Sequence, residues 1–236
     1  MSQYSIKHHQ VIESALKNFN ADFFCENQIT FGGGTRIALE LNEFRESIDI
    51  DFLCPNKASY RSVREQVTNV SLGSLVHEQF EYAREIMANR YGVRVFIKHQ
   101  ETLIKLEFVS FDNYELTPIQ CDTKFPIPYL DQRSCFYTKL LSNSDRKLQE
   151  PYKDIMDILA MYKSWGSIPD IAITQAESHN GKIIVRDLKE SLQDIIDSPE
   201  KYIEAAEVVK MNSDWVDDIV KNQPIALLNE LNKTYK

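Results

Sequence analysis

Residues 28–53 read QITFGGGTRIALELNEFRESIDIDFL, and the fold prediction depends on this segment. Gln28–Phe31 is a short, mostly apolar run typical of a strand, and it leads directly into three consecutive glycines. A helix is then predicted over Thr35–Asn42, with the Thr35 hydroxyl at the N-cap position. Ile48–Leu53 alternates apolar and acidic residues, which is the period of a strand with one buried face. The segment therefore predicts a strand, a glycine turn, a helix and a second strand.

The second predicted strand separates its side chains onto two faces. Ile48, Ile50 and Phe52 would form the buried face, and Asp49 and Asp51 would project together from the other. Two carboxylates side by side are suitable ligands for Mg²⁺, which is usually shared with substrate phosphates. Without a cation the two charges would repel each other. The pair is therefore a candidate metal site, and the alternative is a solvated strand whose aspartates only face water.

The glycine turn is a candidate phosphate site. Gly32–Gly34 come directly before a predicted helix, so their N–H groups and the positive end of the helix dipole suit a phosphate group. Glycine also allows a ligand to approach the backbone closely. The glycines are not followed by a lysine in Walker spacing, which argues against a P-loop NTPase. The turn and the acidic pair together predict a site for a metal-bound nucleotide.

Apolar periodicity predicts the other elements. Their approximate bounds are Ile6–Phe19, Tyr60–Val70, Asp131–Asn143, Pro151–Lys163, Ile183–Ile196, Pro199–Val209 and Trp215–Asn232 for helices, and Val93–Lys98 and Thr102–Ser110 for a β-hairpin. On the second hairpin strand, Lys105, Glu107 and Val109 would share one side. His8 and His9, on the first helix, are predicted to face solvent because no metal-ligand partner lies at a useful spacing.

The predicted fold class is α+β with two domains. The proline-containing segment 126–128 interrupts the periodicity and is the predicted boundary. Residues 1–125 would form a small mixed β-sheet flanked by helices. Residues 126–236 would form a helical bundle.

Composition and charge restrict the class of protein. The chain has 236 residues, 43% hydrophobic residues and a net charge of −8, which predicts a globular protein and argues against polyanion binding over the whole surface. It has no apolar run long enough for a membrane span and a polar first ten residues, so a cytoplasmic location is expected. Basic residues nevertheless cluster between positions 60 and 105, as a local binding strip or simply a solvated face. They are Arg61, Arg64, Arg84, Arg90, Arg94, Lys98 and Lys105.

The order of these motifs resembles the front end of the DNA polymerase β-like nucleotidyltransferase superfamily, and more closely the AbiEii/AbiGii family of nucleotidyltransferase toxins. The resemblance rests on Gly33-Gly34-Thr35 followed by Arg45-x-Ser47-x-Asp49-x-Asp51. Lys139-Leu140-Leu141 and Lys153-Asp154-Ile155-Met156-Asp157 look like the family's lysine-containing helix and its Arg-Asp-x-x-Asp helix, with Lys153 in place of the usual arginine. The resemblance covers roughly residues 31–161. It implies a nucleotidyltransferase domain in 1–125 and a helical domain, 126–236, that completes the active-site cleft.

The resemblance implies a role for each matching residue. Asp49 and Asp51 would hold Mg²⁺ or Mn²⁺, and Glu107 would be the third carboxylate, either as a metal ligand or as the base for the attacking hydroxyl. Asp122 and Glu101 are alternatives for this third position, and Glu107 could instead be an exposed strand residue paired with a neighbouring lysine. Lys139 would be catalytic by reaching a phosphate. The implied nucleotide-binding residues are Gly33, Gly34, Thr35, Arg45, Ser47, Lys139, Asp154 and Asp157.

The implied function is transfer of a nucleoside monophosphate from a nucleoside triphosphate (NTP) to an acceptor hydroxyl. The family implies a toxin of a bacterial type IV toxin–antitoxin or phage-defence system, with a cognate antitoxin as partner and no membrane association. An RNA acceptor, the 3′ end of tRNA, is expected, with the basic Arg61–Arg94 region on its backbone. Two alternatives stay open at this point: nucleotidylation of a protein hydroxyl, and a non-catalytic module that only binds nucleotide.

Overall fold

The computed structural model describes residues 2–235. The chain folds into two compact units, each built from two segments. The sheet unit comprises Met1–Arg36 and Ser47–Asp131, and the helical unit comprises Ile37–Glu46 and Gln132–Lys236.

The sheet unit contains one mixed β-sheet with helices packed on its apolar face. Its helices are α1 (Lys7–Leu16), α2 (Ala21–Glu26), the first turn of α3 (Gly33–Glu40) and α4 (Lys57–Gln66). Its strands are β1 (Thr30–Gly32), β2 (Asp49–Cys54), β3 (Glu81–Tyr82), β4 (Met87–Ala88), β5 (Gly92–His99), β6 (Thr102–Ser110), β7 (Pro118–Ile119) and β8 (Tyr129–Leu130). The strand order is β3-β5-β6-β2-β1-β8-β7, and β4 pairs with β5. The β2–β6 and β1–β8 pairs are parallel and the others are antiparallel.

Alternation along the central strands produces the core of the sheet unit. Ile50 and Phe52 of β2 and Leu106 and Phe108 of β6 are fully buried, on the face that α1 and α4 contact. Phe52 packs edge-on against Phe24 with ring centroids 4.8 Å apart. Burying an aromatic or aliphatic side chain of this size contributes about 1.5–3 kcal/mol. The opposite face of β2, β6 and β5 carries the polar side chains.

The helical unit consists of the helices after Asp131 and one short segment, Ile37–Glu46, from the first quarter of the chain. Its helices are α5 (Gln132–Asp145), α6 (Lys153–Trp165), α7 (Asp170–Asn180), α8 (Ile183–Asp197), α9 (Pro199–Val208), α10 (Ser213–Asp217) and α11 (Gln223–Thr234), with a π-helical turn over Asp218–Asn222. Residues 37–46 belong to this unit because their backbone is bonded to it. The Asn212 N–H donates to the Phe44 carbonyl at 2.8 Å, and the Glu46 N–H donates to the Val209 carbonyl at 3.1 Å.

The α+β fold class is confirmed, and so are the acidic strand and the hairpin. The two units meet in sequence after Asp131 rather than after residue 125, and residues 37–46 join the second unit. Ile48 was expected on the buried face, but it precedes β2 and is 48% exposed. Between residues 2 and 235, no helix combines the length and apolarity needed to cross a bilayer.

Candidate active site

The glycine turn lies directly against the acidic strand. Gly32 pairs with Asp51 in the antiparallel β1–β2 ladder, and Gly33, the first residue of α3, has a φ of +70°. A Cβ atom at position 33 would be 2.1 Å from Oδ2 of Asp51. Glycine is therefore needed here for two reasons, since it adopts the left-handed conformation and leaves room for the carboxylate. Gly34 follows it in the first turn of α3, half-exposed.

Thr35 does not cap the helix as predicted, because α3 begins two residues earlier at Gly33. The Thr35 side chain is buried, and its hydroxyl oxygen lies 2.8 Å from the Ser47 hydroxyl oxygen. It also hydrogen-bonds the main-chain carbonyl of Asp49. The first turn of α3 is thus tied to the start of β2, which places both predicted residues, Thr35 and Ser47, beside the acidic strand.

His8 and His9 of α1 also contact the short segment before β2, through the backbone of Ser47 and Ile48. The prediction that both face solvent is wrong for His9, which is fully buried. The Ser47 N–H donates to Nε2 of His9 at 3.0 Å, and Nε2 of His8 lies 3.0 Å from the Ile48 carbonyl oxygen. The sequence contained a signal for this position, because His9 is three residues before Ile12 and therefore lies on the apolar stripe of α1.

Arg36 is a second buried residue that the sequence reasoning missed. It follows the glycine turn and is fully buried. Its Nε–H donates to the Leu130 carbonyl of β8 at 3.1 Å, and its guanidinium lies 5.4 Å from the centre of the Tyr129 ring. It therefore links the first turn of α3 to the strand on the other side of β1.

Asp49 and Asp51 project from the same face of β2, as predicted, and both are half-buried. The parallel pairing of β2 with β6 sets Lys105 beside Asp49 and Glu107 beside Asp51. Because parallel neighbours in register share a face, the candidate third carboxylate is next to the acidic pair.

The carboxylate of Glu107 is paired with two positively charged side chains. It accepts from Nε of Arg94 at 2.6 Å and from Nζ of Lys105 at 2.8 Å. Burial raises the pKa of Glu107, but Lys105 and Arg94 outweigh this effect, so its pKa is below the ordinary value. A carboxylate with a lowered pKa is a weak base, which disfavours the proposed proton-accepting role. The pairing with Lys105 matches the alternative interpretation of Glu107 as a paired strand residue.

The two alternative carboxylates are engaged elsewhere. Asp122 accepts hydrogen bonds from the Tyr129 hydroxyl at 2.8 Å and from the backbone N–H of Lys124 at 2.8 Å. Glu101 is a strongly exposed hairpin residue that forms an ion pair with Lys98 at 2.9 Å. Both carboxylates therefore interact with residues near them in the sequence.

Lys139 is a buried residue of α5 in the helical unit. Its ammonium group forms ion pairs with Asp154 at 2.9 Å and with Asp157 at 2.6 Å, both on α6. Burial lowers the pKa of Lys139, but these two carboxylates outweigh it and raise the pKa above the ordinary value. Lys139 is therefore charged, and its predicted contact with a phosphate stays a prediction.

Two arginines complete this ion-pair network. Arg45 donates from two nitrogens to the two carboxylate oxygens of Asp157, at 2.7 and 2.9 Å, and both side chains are almost inaccessible to solvent. Asp157 was expected to face a cleft and bind nucleotide. Its side chain is fully buried and paired with Arg45 and Lys139, and its contact with a nucleotide stays a prediction. Asp154 is also bound by Arg146, whose side chain is 56% exposed. Lys153, which stands where the family usually has arginine, is exposed.

The donor set of the sheet unit fits a divalent metal shared with phosphates. Across residues 2–235, no three or more His, Cys, Asp or Glu side chains are arranged as a complete metal site. Mg²⁺, however, is usually held by one or two carboxylates together with substrate phosphates. Asp49 and Asp51, adjacent to the glycine turn, meet that requirement.

The fold and this site define a nucleotidyltransferase of the polymerase β-like class: a strand, a glycine turn that opens a helix, and an adjacent strand with Asp-x-Asp. The family model described as nucleotidyl transferase AbiEii toxin, type IV toxin–antitoxin system, matches residues 14–221. The chain belongs to this family. The match extends beyond the residues 31–161 on which the sequence resemblance rested.

Two solved structures from Helicobacter pylori are similar to this chain. One, provisionally assigned as a nucleotidyltransferase, is 15% identical with a TM-score of 0.60, and the match covers 100% of both chains. The other, JHP933, is 14% identical with a TM-score of 0.56, and the match covers 98% of this chain and 96% of that chain. At these identities the likeness shows the fold alone. A comparison with curated proteins gave no match.

Proposed function

We propose that this nucleotidyltransferase uses Mg²⁺, or Mn²⁺ in its place, to transfer a nucleoside monophosphate from an NTP to a hydroxyl group of RNA. The observation that carries the proposal is the position of Asp51, on the same strand face as Asp49 and in contact with the backbone at Gly33. This arrangement sets two carboxylates beside N–H groups at the start of a helix, where a triphosphate is favoured. The AbiEii family further supports a cognate antitoxin as partner.

The reaction replaces a phosphoanhydride bond of the NTP with a phosphodiester bond to the acceptor. The acceptor hydroxyl oxygen bonds to the α-phosphorus, the bond from the α-phosphorus to the bridging oxygen breaks, and pyrophosphate leaves with the electron pair. The hydroxyl proton is released to water. A bound divalent ion would neutralise phosphate charge.

The side chains and backbone groups of the sheet unit would have separate roles in this reaction. Asp49 and Asp51 would hold the metal, and the N–H groups of Gly33 and Gly34 would bind phosphate oxygens. Thr35 keeps the glycine turn beside β2 through its bonds to Ser47 and Asp49.

Replacement of Asp51 tests the proposal. We expect Asp51→Asn to reduce transfer of label from an α-labelled NTP by about a hundred- to a thousandfold, because it removes one negative ligand of the metal. Asp112→Asn is the matched control, since Asp112 is 78% exposed in a surface ion pair with Lys57. Full activity of Asp51→Asn, or equal loss in both variants, would contradict the assignment.

The polar face of the sheet supports RNA as the acceptor. Beyond β6, the outward residues of β5 are Arg94, Phe96 and Lys98, and Arg94 is opposite Glu107, the neighbour of Asp51. The guanidinium carbon of Arg84 lies 3.8 Å from the centre of the Phe96 ring. Arginine next to an aromatic ring favours stacking of bases and binding of the phosphate backbone.

The predicted basic cluster is divided by the fold. Arg84, Arg94, Lys98 and Lys105 lie with the polar face, whereas Arg61 and Arg64 belong to α4, which packs on the apolar face. Only the first group is therefore on the side of the sheet that carries Asp49 and Asp51. The acceptor surface we propose is this polar face.

Salt dependence and a charge variant test the choice of acceptor. We expect labelling of RNA to decrease as salt rises, and Arg84→Gln to weaken RNA binding and reduce the salt slope by about one. Lys57→Gln, which changes the same charge at an exposed site on α4, is the control. Label that enters protein rather than RNA, with no effect of Arg84→Gln, would favour the protein-acceptor alternative.

A further inference from the structure

Helix α1 binds the backbone of two adjacent residues at the start of the acidic strand. His9 accepts a hydrogen bond from the Ser47 N–H, and Nε2 of His8 lies 3.0 Å from the carbonyl oxygen of the next residue, Ile48. Ser47 and Ile48 come immediately before β2, whose ladder with β6 begins at Asp49. The histidines therefore supply hydrogen bonds to a segment that lies outside the β2–β6 ladder.

The two bonds require different forms of the imidazole ring. Nε2 of His9 accepts a hydrogen bond, so it carries no proton, and the neutral ring is protonated at Nδ1. Nε2 of His8 faces a carbonyl oxygen and must therefore donate. His9 is also enclosed: its side chain is fully buried, and the Tyr4 ring meets it edge-on with the centroids 6.4 Å apart. Its ring is consequently fixed in position.

The segment that His9 holds is also held by Thr35. The Thr35 hydroxyl contacts the Ser47 side chain and the Asp49 carbonyl, so Ser47 is bonded through its backbone on one side and its side chain on the other. Movement of Ser47 would be transmitted to Asp49, two residues later on the same strand. A small change in direction at this point displaces a carboxylate that would bind metal.

We propose that His9 is a positioning residue for nucleotidyl transfer: through the Ser47 N–H it fixes the entry into β2 and thereby the direction of the Asp49 carboxylate. The proposal rests on the proposed function of Asp49 and Asp51 as metal ligands. His9 does not touch the reacting atoms, and its effect reaches them through the backbone. Groups that orient metal ligands in this way usually change metal affinity or activity by about 10–100-fold when they are removed.

Two amide variants distinguish the effect of the hydrogen bond to Ser47 from the effect of having any polar side chain at position 9. In His9→Gln the side-chain amide extends as far as Nε2 and can accept from Ser47, whereas in His9→Asn the amide ends near the position of Nδ1. His9→Met removes the acceptor but keeps a similar length. His99→Met is the control for loss of a histidine elsewhere in the sheet unit, since His99 contacts Ser14 of α1 at 3.0 Å.

Three quantities should be measured on the full chain: exchange of the Ser47 amide hydrogen, Mn²⁺ binding by electron paramagnetic resonance, and kcat for nucleotide transfer. We expect His9→Asn and His9→Met to exchange the Ser47 hydrogen roughly tenfold faster, since one hydrogen bond is lost. The same variants should bind Mn²⁺ about tenfold more weakly. His9→Gln and His99→Met should stay within about threefold of the wild type in all three measurements.

The outcomes distinguish this proposal from the proposed function. Unchanged Mn²⁺ binding in a folded His9→Asn protein whose Ser47 hydrogen exchanges faster would overturn the positioning role. Equal losses in His9→Gln and His9→Asn would also overturn it, because the hydrogen bond would then be irrelevant. If the wild type binds no Mn²⁺ and transfers no nucleotide, the proposed function itself fails, whatever the exchange of Ser47 shows.

Discussion

Contact between one glycine and one carboxylate determines how residues 33 and 51 can vary. Gly33 has a φ of +70°, and a methyl group there would overlap Oδ2 of Asp51. A substitution at Gly33 therefore has two costs, backbone strain and displacement of a carboxylate proposed to bind metal. A second glycine, Gly181, has a φ of +71° with no atom within 4 Å of its missing Cβ, so it has the first cost alone.

We predict that Gly33→Ala abolishes metal-dependent nucleotide binding, while Gly181→Ala does not. Both variants should lose about 1–3 kcal/mol of stability, because each alanine would be held at a positive φ. Only Gly33→Ala should also lose binding of NTP with Mg²⁺ in isothermal titration calorimetry. Equal nucleotide affinities for the two variants would contradict the contact between Gly33 and Asp51.

Residues whose position depends only on their neighbours in the chain were predictable from the sequence. Asp49 and Asp51 were placed on one strand face because strand alternation is a local property. The ion pairs of Glu107 were only partly anticipated, since Arg94 meets it through strand register, which the sequence does not specify. His9 was misplaced because a histidine pair was judged by metal spacing rather than by its place on the apolar stripe.

The contact between α6 and residues 37–46 depends on a buried ion pair. Arg45 and Asp157 have side chains that are 2% and 0% exposed, and they share two hydrogen bonds. Removing one member leaves a buried charge without its partner, which is strongly destabilising. Arg146, in the same network, is mostly exposed and so provides a matched comparison.

We predict that Arg45→Met lowers the free energy of unfolding by about 3–5 kcal/mol. Arg146→Met should lower it by about 1 kcal/mol or less, because solvent screens an exposed pair. Urea denaturation followed by circular dichroism measures both values. A loss for Arg45→Met no larger than that for Arg146→Met would show that burial does not determine the strength of this network.

Asp154 gives the network a dependence on pH. Burial raises the pKa of Asp154, but Lys139 and Arg146 outweigh it and lower the pKa below its ordinary value. The folded carboxylate thus has a lower pKa than the unfolded one, near 3.9, so the unfolded chain binds more protons. Its contribution to stability is present above about pH 4 and decreases as pH falls through the folded pKa.

We predict that stability falls less steeply with decreasing pH in Asp154→Asn than in the wild type. The measurement is urea denaturation at a series of pH values from about 5 downward. Asp112→Asn should retain the wild-type slope, since Asp112 is in an exposed surface pair. An identical slope in all three proteins would mean that Asp154 does not titrate differently in the folded state.

Long periodic elements were predictable and short paired ones were not. The hairpin strands β5 and β6, and the helices α5, α8 and α9, were expected from apolar periodicity and were found near their predicted bounds. The strands β3, β4, β7 and β8 have two residues each, which is too short for a period. They exist because neighbouring backbone groups pair, and that pairing joins residues distant in the sequence.

Nucleotide and metal should act together on the thermal stability of the protein. A ligand that binds only the folded state at about a hundred times its dissociation constant adds roughly 2.7 kcal/mol. For a chain of this size we predict an increase in Tm of about 5–10 °C when NTP and Mg²⁺ are both present. Differential scanning fluorimetry measures it, and EDTA or Asp51→Asn should remove it. A full increase in the presence of EDTA would argue against metal-assisted binding.

The division of the chain was only partly readable from the sequence. The proline segment 126–128 lies close to the change of unit after Asp131. The transfer of residues 37–46 could not be predicted, because it depends on partners far along the chain, among them Val209 and Asn212. The sequence between α3 and β2 contains no break that marks this exchange.

The interleaved order of the two units limits how the protein can be cut. A fragment that ends at Asp131 would retain residues 37–46 but lose Asp157 and Asn212, so Arg45 would be exposed without its carboxylate. The complementary fragment, from Gln132 onward, would lack Phe44 and present the surface it normally covers. Neither fragment corresponds to a complete unit that could be expressed separately. Two co-expressed fragments would have to reassemble around residues 37–46, which the first fragment carries and the helical unit needs.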